Sequence, residues 1–181
     1  MTSAQDVLDF WFVEHGHDDW FGGKAEFDAK LAARFGDLHD RASHGEVWHW
    51  RETANGRLAE VIMLDQFSRQ LHRGSPRAFA QDGMALVLAQ EAIFEGADHE
   101  VDPARSMFFY MPFMHSESLL IQDEGVRLFE ALGNADLLKF MVDHRDTIAR
   151  FGRFPFRNRA LGRQSTPAEQ AYMDEQKGRM F

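Results

Sequence analysis

Along most of the chain apolar side chains recur every three or four positions, the spacing of one face of an α-helix. Val7, Leu8 and Trp11 mark a first helix, and Phe27, Leu31, Phe35 and Leu38, with Arg34 among them, a second. The same spacing predicts helices over residues 57–72, 77–95, 112–132 and 135–151, and a last one from Pro167. Start signals agree: Ser75-Pro76, Asp102-Pro103 and Thr166-Pro167 each set a capping side chain before a proline suited to the first helical position, and Thr166 with Glu169 makes a capping box. No sustained period-two run bounded by hairpin turns occurs. The expected class is therefore all-α, about seven or eight helices packed antiparallel in pairs, in a single domain over residues 1–181. Residues 15–24 and 152–165 mix glycine with aromatic residues or arginine and read as ordered loops.

Composition changes this picture little and narrows the chemistry. With 181 residues, 44% hydrophobic and 27% charged, the chain is neither disordered nor fibrous. No run approaches the roughly 20 apolar residues of a membrane span, and the N-terminus is acidic and amphipathic rather than a basic leader, so the expected location is the cytoplasm and no membrane partner is expected. There is no cysteine, which excludes disulfides, thiolate metal sites and cysteine nucleophiles. Trp11, Phe27, Phe35, Phe129 and Phe151 are expected in the core, the run Trp48-His49-Trp50 is assigned to packing, and Asp98, Glu100 and Asp102 to solvated surface.

Charge is more informative. The net charge is −9, yet residues 145–163 carry six arginines against one acid. A basic island in an acidic chain fits a local anion and argues against nucleic acid, which calls for an extended basic face. Arginine outnumbers lysine sixteen to four, and the planar guanidinium suits fixed pairing with carboxylate or phosphate. The structural alternative is that these arginines pair with the chain's own acids.

Three predicted helices carry polar groups where their own periodicity expects core. Leu58, Val61 and Ile62 continue into Asp65, Arg69 and His72. His115, Leu119, Gln122, Val126 and Phe129 form another stripe, and Leu137, Met141, His144, Ile148 and Phe151 a third. Burying such groups unpaired costs about 1–3 kcal/mol each, so they are expected to meet one another or a ligand. Asp65, Arg69, His115, Gln122 and His144 are expected to converge with the arginine segment; a satisfied internal network that binds nothing is the alternative. His115 and Glu117 lie two apart on a presumed helix, unlike the paired ligands of helical metal sites, so no metal or other cofactor is expected. Ser116 lacks a nucleophile turn, and neither a P-loop nor a dinucleotide glycine pattern is present.

The motifs Leu64-Asp65-Gln66-Phe67-Ser68-Arg69, Phe109-Tyr110-Met111-Pro112-Phe113-Met114-His115-Ser116-Glu117, then His144, Phe151-Gly152-Arg153-Phe154-Pro155 and Arg157-Asn158 resemble domain-of-unknown-function family 924. The opening Val7-Leu8-Asp9-Phe10-Trp11-Phe12 fits it as well, so the likeness spans most of the chain. Ser68 and Gln70 around Arg69 depart from it, as does Phe156, standing where a histidine is common. The resemblance implies a tetratricopeptide-like stack of helices and implies no particular reaction.

Together these readings lead to a polar pocket for a small anion, phosphate or carboxylate. An enzyme built on it would use His115 or His144 as general acid or base, oriented by Asp65 or Glu117. Arg69, Gln122, Arg153, Arg157, Asn158 and Arg163 would hold the ligand. The alternative is a tetratricopeptide-like scaffold whose concave face grips a protein or peptide partner.

Overall fold

The computed structural model describes residues 2–176, and every regular element among them is helical. The chain divides into two compact units, residues 2–73 with 77–112 and residues 74–76 with 113–176.

In the first unit, α1 (Ala4–Asp9) starts at a Ser3–Asp6 capping box and continues without a break as a π-helical segment, Phe10–Glu14. The single-turn α2 (His17–Trp20) and the long α3 (Ala25–Ser43) follow. Next, α4 (Ala54–Ile62), a second π-helical segment (Met63–Phe67) and α5 (Ser68–Leu71) form one rod. Then come α6 (Asp82–Phe94), the single-turn α7 (Ala97–Glu100) and α8 (Pro103–Met114), whose last two residues belong to the second unit. The second unit contains α9 (Leu119–Leu132), α10 (Ala135–Phe151) and α11 (Pro167–Glu175). With each π segment counted with its helix and the single turns set aside, the described residues form eight rods.

Aromatic side chains fill the first unit because the first π segment, α3 and the second π segment all turn phenylalanine inward. Phe10, Trp11, Phe27, Phe35, Phe67 and Phe108 are buried. Phe10 meets Phe35 edge-on at 5.0 Å, and Trp11 stacks on Trp20 at 5.3 Å while the Trp20 indole N–H donates to the Trp11 carbonyl at 2.8 Å. The start of α4 is fixed by Thr53, whose hydroxyl accepts the Gly56 N–H, and by Gly56 itself. A Cβ on Gly56 would lie 1.9 Å from the Trp50 carbonyl oxygen. Gly56→Ala is therefore expected to lower the urea midpoint, costing about 2 kcal/mol despite alanine's better helix propensity, because backbone must move; an unchanged midpoint would contradict this packing.

Several expectations need correction. The helix expected over residues 112–132 is two helices: α8 runs through Pro112 to Met114, and a turn precedes α9. The turn forms because side chains take its backbone groups, with Ser116 Oγ accepting the Ser118 N–H and Gln122 Nε2 donating to the carbonyls of Met114 and Ser116. The helix expected from residue 77 begins at Asp82, after a 3₁₀ turn at Pro76–Phe79. Asp98 is buried rather than solvated, since the Tyr110 hydroxyl donates to it at 2.7 Å. Trp48 is 64% exposed while Trp50 packs.

Candidate functional site

Asp65 and Arg69 belong to the first unit, and the π segment decides how they meet. A π turn widens the helix and loosens its ladder, and here side chains take over the carbonyls: Ser68 Oγ donates to Leu64 O at 2.6 Å and Arg69 Nη1 to Asp65 O at 2.6 Å. The expected pair forms, Arg69 Nη1 to Asp65 Oδ1 at 3.2 Å. Arg69 also reaches Asp82 with both terminal nitrogens, at 3.0 and 3.2 Å, and Gln66 Nε2 donates to Asp65 at 2.5 Å. Asp82, at the start of α6, carried no sequence signal as the partner of Arg69. His39 of α3 closes this network, its Nε2 2.8 Å from Ser68 Oγ. Because the Ser68 proton is committed to Leu64 O, His39 is the donor in that contact and Ser68 is not an activated nucleophile.

The other eight residues lie in the second unit. His115 ends up on the turn after α8, His144 on the inward stripe of α10, and both are buried, with ring centroids 6.4 Å apart. His144 Nδ1 is 2.7 Å from the Phe140 carbonyl, so Nδ1 bears the hydrogen and Nε2 is the nitrogen that takes up or releases a proton. The Phe154 ring meets the His144 ring edge-on at 5.6 Å, and the Arg157 guanidinium lies 4.5 Å from the centre of Phe154. Arg157 Nη2 donates to the His115 carbonyl at 3.0 Å.

With Gln122 on its two neighbours, three successive carbonyls, Met114 to Ser116, each receive a side-chain donor. Glu117 ties the same turn to the arginine segment. It accepts the Phe154 N–H at 2.8 Å and a two-pronged contact from Arg163 at 2.7 and 2.9 Å. Although partial burial opposes it, the Arg163 guanidinium and the Phe154 N–H hold its carboxyl below the usual range. Glu117 thus clamps the turn.

Arg153 is likewise taken by an acid of its own unit, donating to Glu169 at 2.6 and 2.9 Å. Asn158 Nδ2 contacts Ser165 Oγ at 3.1 Å and Glu169 at 3.4 Å. The internal pairing of arginine with acid therefore holds for Arg153 and Arg163, and Arg157 holds the His115 carbonyl. The fully buried Gln122 Oε1 and Asn158 Oδ1 have no hydrogen-bond partner among the described residues. No group of three or more histidine, aspartate or glutamate residues that could hold a metal ion occurs among the described residues, and no helix there is long and apolar enough to cross a membrane. A concavity of about 420 Å³ in the first unit, lined by Gln5, Leu8, His49, Trp50 and Thr53, offers less chemistry, since its Thr53 and Ser3 hydroxyls are spent on helix caps.

A solved structure of a protein of unknown function from Agrobacterium tumefaciens is similar to this chain at 40% identity, with a TM-score of 0.90, covering 95% of this chain and 97% of that one. No curated protein matches. The family model described as bacterial protein of unknown function, DUF924, matches residues 7–177. The chain therefore belongs to the DUF924 family of bacterial proteins of unknown function.

Proposed function

We propose that the second unit binds a small anion, a phosphate or carboxylate, at the His115–His144 pair beside Arg157. The observation that carries this reading is the turn bearing His115: Gln122 and Arg157 hold three consecutive carbonyls, and Glu117 binds it to the Phe154 backbone. Holding a turn with three side chains is what a preorganised site requires. Arg157 supplies the positive charge, and His144, oriented through Nδ1 by a backbone carbonyl, presents Nε2 for proton transfer. Should turnover accompany binding, His144 is the general acid–base and Arg157 the group that stabilises developing negative charge. Arg153 and Arg163 support the site through Glu169 and Glu117. The reading draws on the second unit alone.

The test is thermal unfolding and histidine-ring NMR with inorganic phosphate, acetate and citrate as probes. A ligand at a hundred times its Kd adds about 2.7 kcal/mol, a rise in Tm on the order of 5–10 °C for a chain of this size. His115 and His144 ring signals are expected to move with the same anion, and His144→Gln to abolish both effects. Anions that shift neither Tm nor ring signals would remove the reading.

A further inference from the structure

α6 is apolar around nearly its whole circumference, with no charged side chain between Gly83 and Ala89. What it turns inward is small: Ala85, Ala89 and Ala92 are its buried residues, and they let α4 and the second π segment pack against it. Of the larger apolar groups, Met84, Leu86, Leu88 and Ile93 are partly buried, and two point away. Val87 is 56% and Phe94 85% exposed, and with exposed Gly83 and Glu91 they form one stripe at helical spacing. A helix apolar on all sides is normally a buried one, and an exposed apolar face marks a contact surface.

Gly83 adds an independent observation. It stands in the first turn of α6, its φ is not positive and a Cβ there would meet nothing within 4 Å. The chain's own packing gives no reason for it; close approach of a second backbone does.

We propose that this stripe is the contact of an antiparallel homodimer, with α6 crossing α6 of a second copy about Val87. Charge selects the arrangement. Glu91 and Glu95 stand at the C-terminal end of α6, where the negative pole of their own helix opposes them. Antiparallel pairing about Val87 sets Glu91 beside Gly83 of the second copy. There the first-turn N–H groups have no acceptor within the helix, no Cβ shields them, and the neighbouring Asp82 carboxylate is largely buried and held by Arg69. A two-fold axis makes this contact twice, and a parallel pairing would instead bring the acids together.

One helix crossing lies at the low end of interface size, below about 1,200 Å² in total, so the dimer is weak and is sought at high concentration. Sedimentation velocity of the full chain from micromolar to several hundred micromolar is expected to show the mass rising toward twice the monomer. Val87→Asp and Phe94→Asp should each hold it at the monomer with unchanged circular dichroism. Gly83→Ala should raise the urea midpoint measured at low concentration while weakening association, opposite signs that a structural glycine does not give. The natural chain has no cysteine, so single cysteines report the register. Under mild oxidation Val87→Cys should cross-link to itself, whereas Gly83→Cys and Glu91→Cys should cross-link efficiently only when mixed. A monomer at every concentration, which would give the face to a different protein, or self-linking by Glu91→Cys alone, would overturn the proposal.

Discussion

Replacing Arg153 with methionine is expected to lower the urea midpoint of the folded chain, because it removes the charged partner of the Glu169 carboxylate. Glu169 is 3% exposed and sits between Arg153, at 2.6 and 2.9 Å, and the Thr166 N–H at 2.7 Å. The Arg153 contact, followed by the Thr166 N–H, pulls its pKa from 4.5 to about 2. A carboxyl whose folded pKa is depressed stabilises above its unfolded value and loses that contribution as pH falls through the folded one. The natural chain should therefore lose stability between pH 4.5 and 2, and in the variant, where only the Thr166 contacts still lower the Glu169 pKa, that limb should be smaller. Urea unfolding of Arg153→Met, Glu169→Gln and the double variant checks it: the double variant should recover most of the loss, so that the two single effects are not additive. Additive single effects would show that the two side chains act independently.

The second large effect is a histidine that stays neutral. His39 is 4% exposed, and burial, helped by His72 and Arg77 against a smaller opposing pull from Asp40, lowers its pKa from 6.5 to about 4. His72 is lowered in the same direction by burial and Arg77. The unfolded chain takes up a proton at His39 that the folded chain refuses, so this contribution is intact above pH 6.5 and is lost as pH falls toward 4. Its size is about 3 kcal/mol at 1.36 kcal/mol per pH unit. His39→Gln keeps an N–H for Ser68 Oγ and cannot titrate. The natural chain should match this variant's pH dependence above pH 6.5 and fall below it progressively down to pH 4. Parallel curves across that range would place His39 outside the buried network.

How much of this was legible along the chain depended on whether the deciding contact was local. The capping box of Thr166 and Glu169 forms as expected, since donor and acceptor are three residues apart, and Gly152 ends α10 at φ 69°. The inward stripe Met141, His144 and Ile148 is buried as its spacing predicts, and so are Asp65, Gln122 and Phe129. The π segment Met63–Phe67 escaped, because periodicity near 3.6 residues cannot distinguish one widened turn in a rod; only Ser68 and Arg69 reaching back to Leu64 and Asp65 reveal it. The break after Met114 escaped for a similar reason. His115, Leu119 and Gln122 keep helical spacing across a turn that Gln122 itself holds open.

By itself, then, the sequence determined the class, the starts of α10 and α11, the inward stripe of α10 and the location of the arginine island, all of which follow from side-chain chemistry repeated over a few residues. Only the tertiary structure decided which acid each arginine meets. Arg163 reaches Glu117 across 46 positions and Arg69 reaches Asp82 across 13, while Arg157 takes the His115 carbonyl across 42. Composition is silent on such choices, because a guanidinium binds any carboxylate or carbonyl the fold brings within 3 Å, and which one arrives is set by the packing of helices distant in the chain.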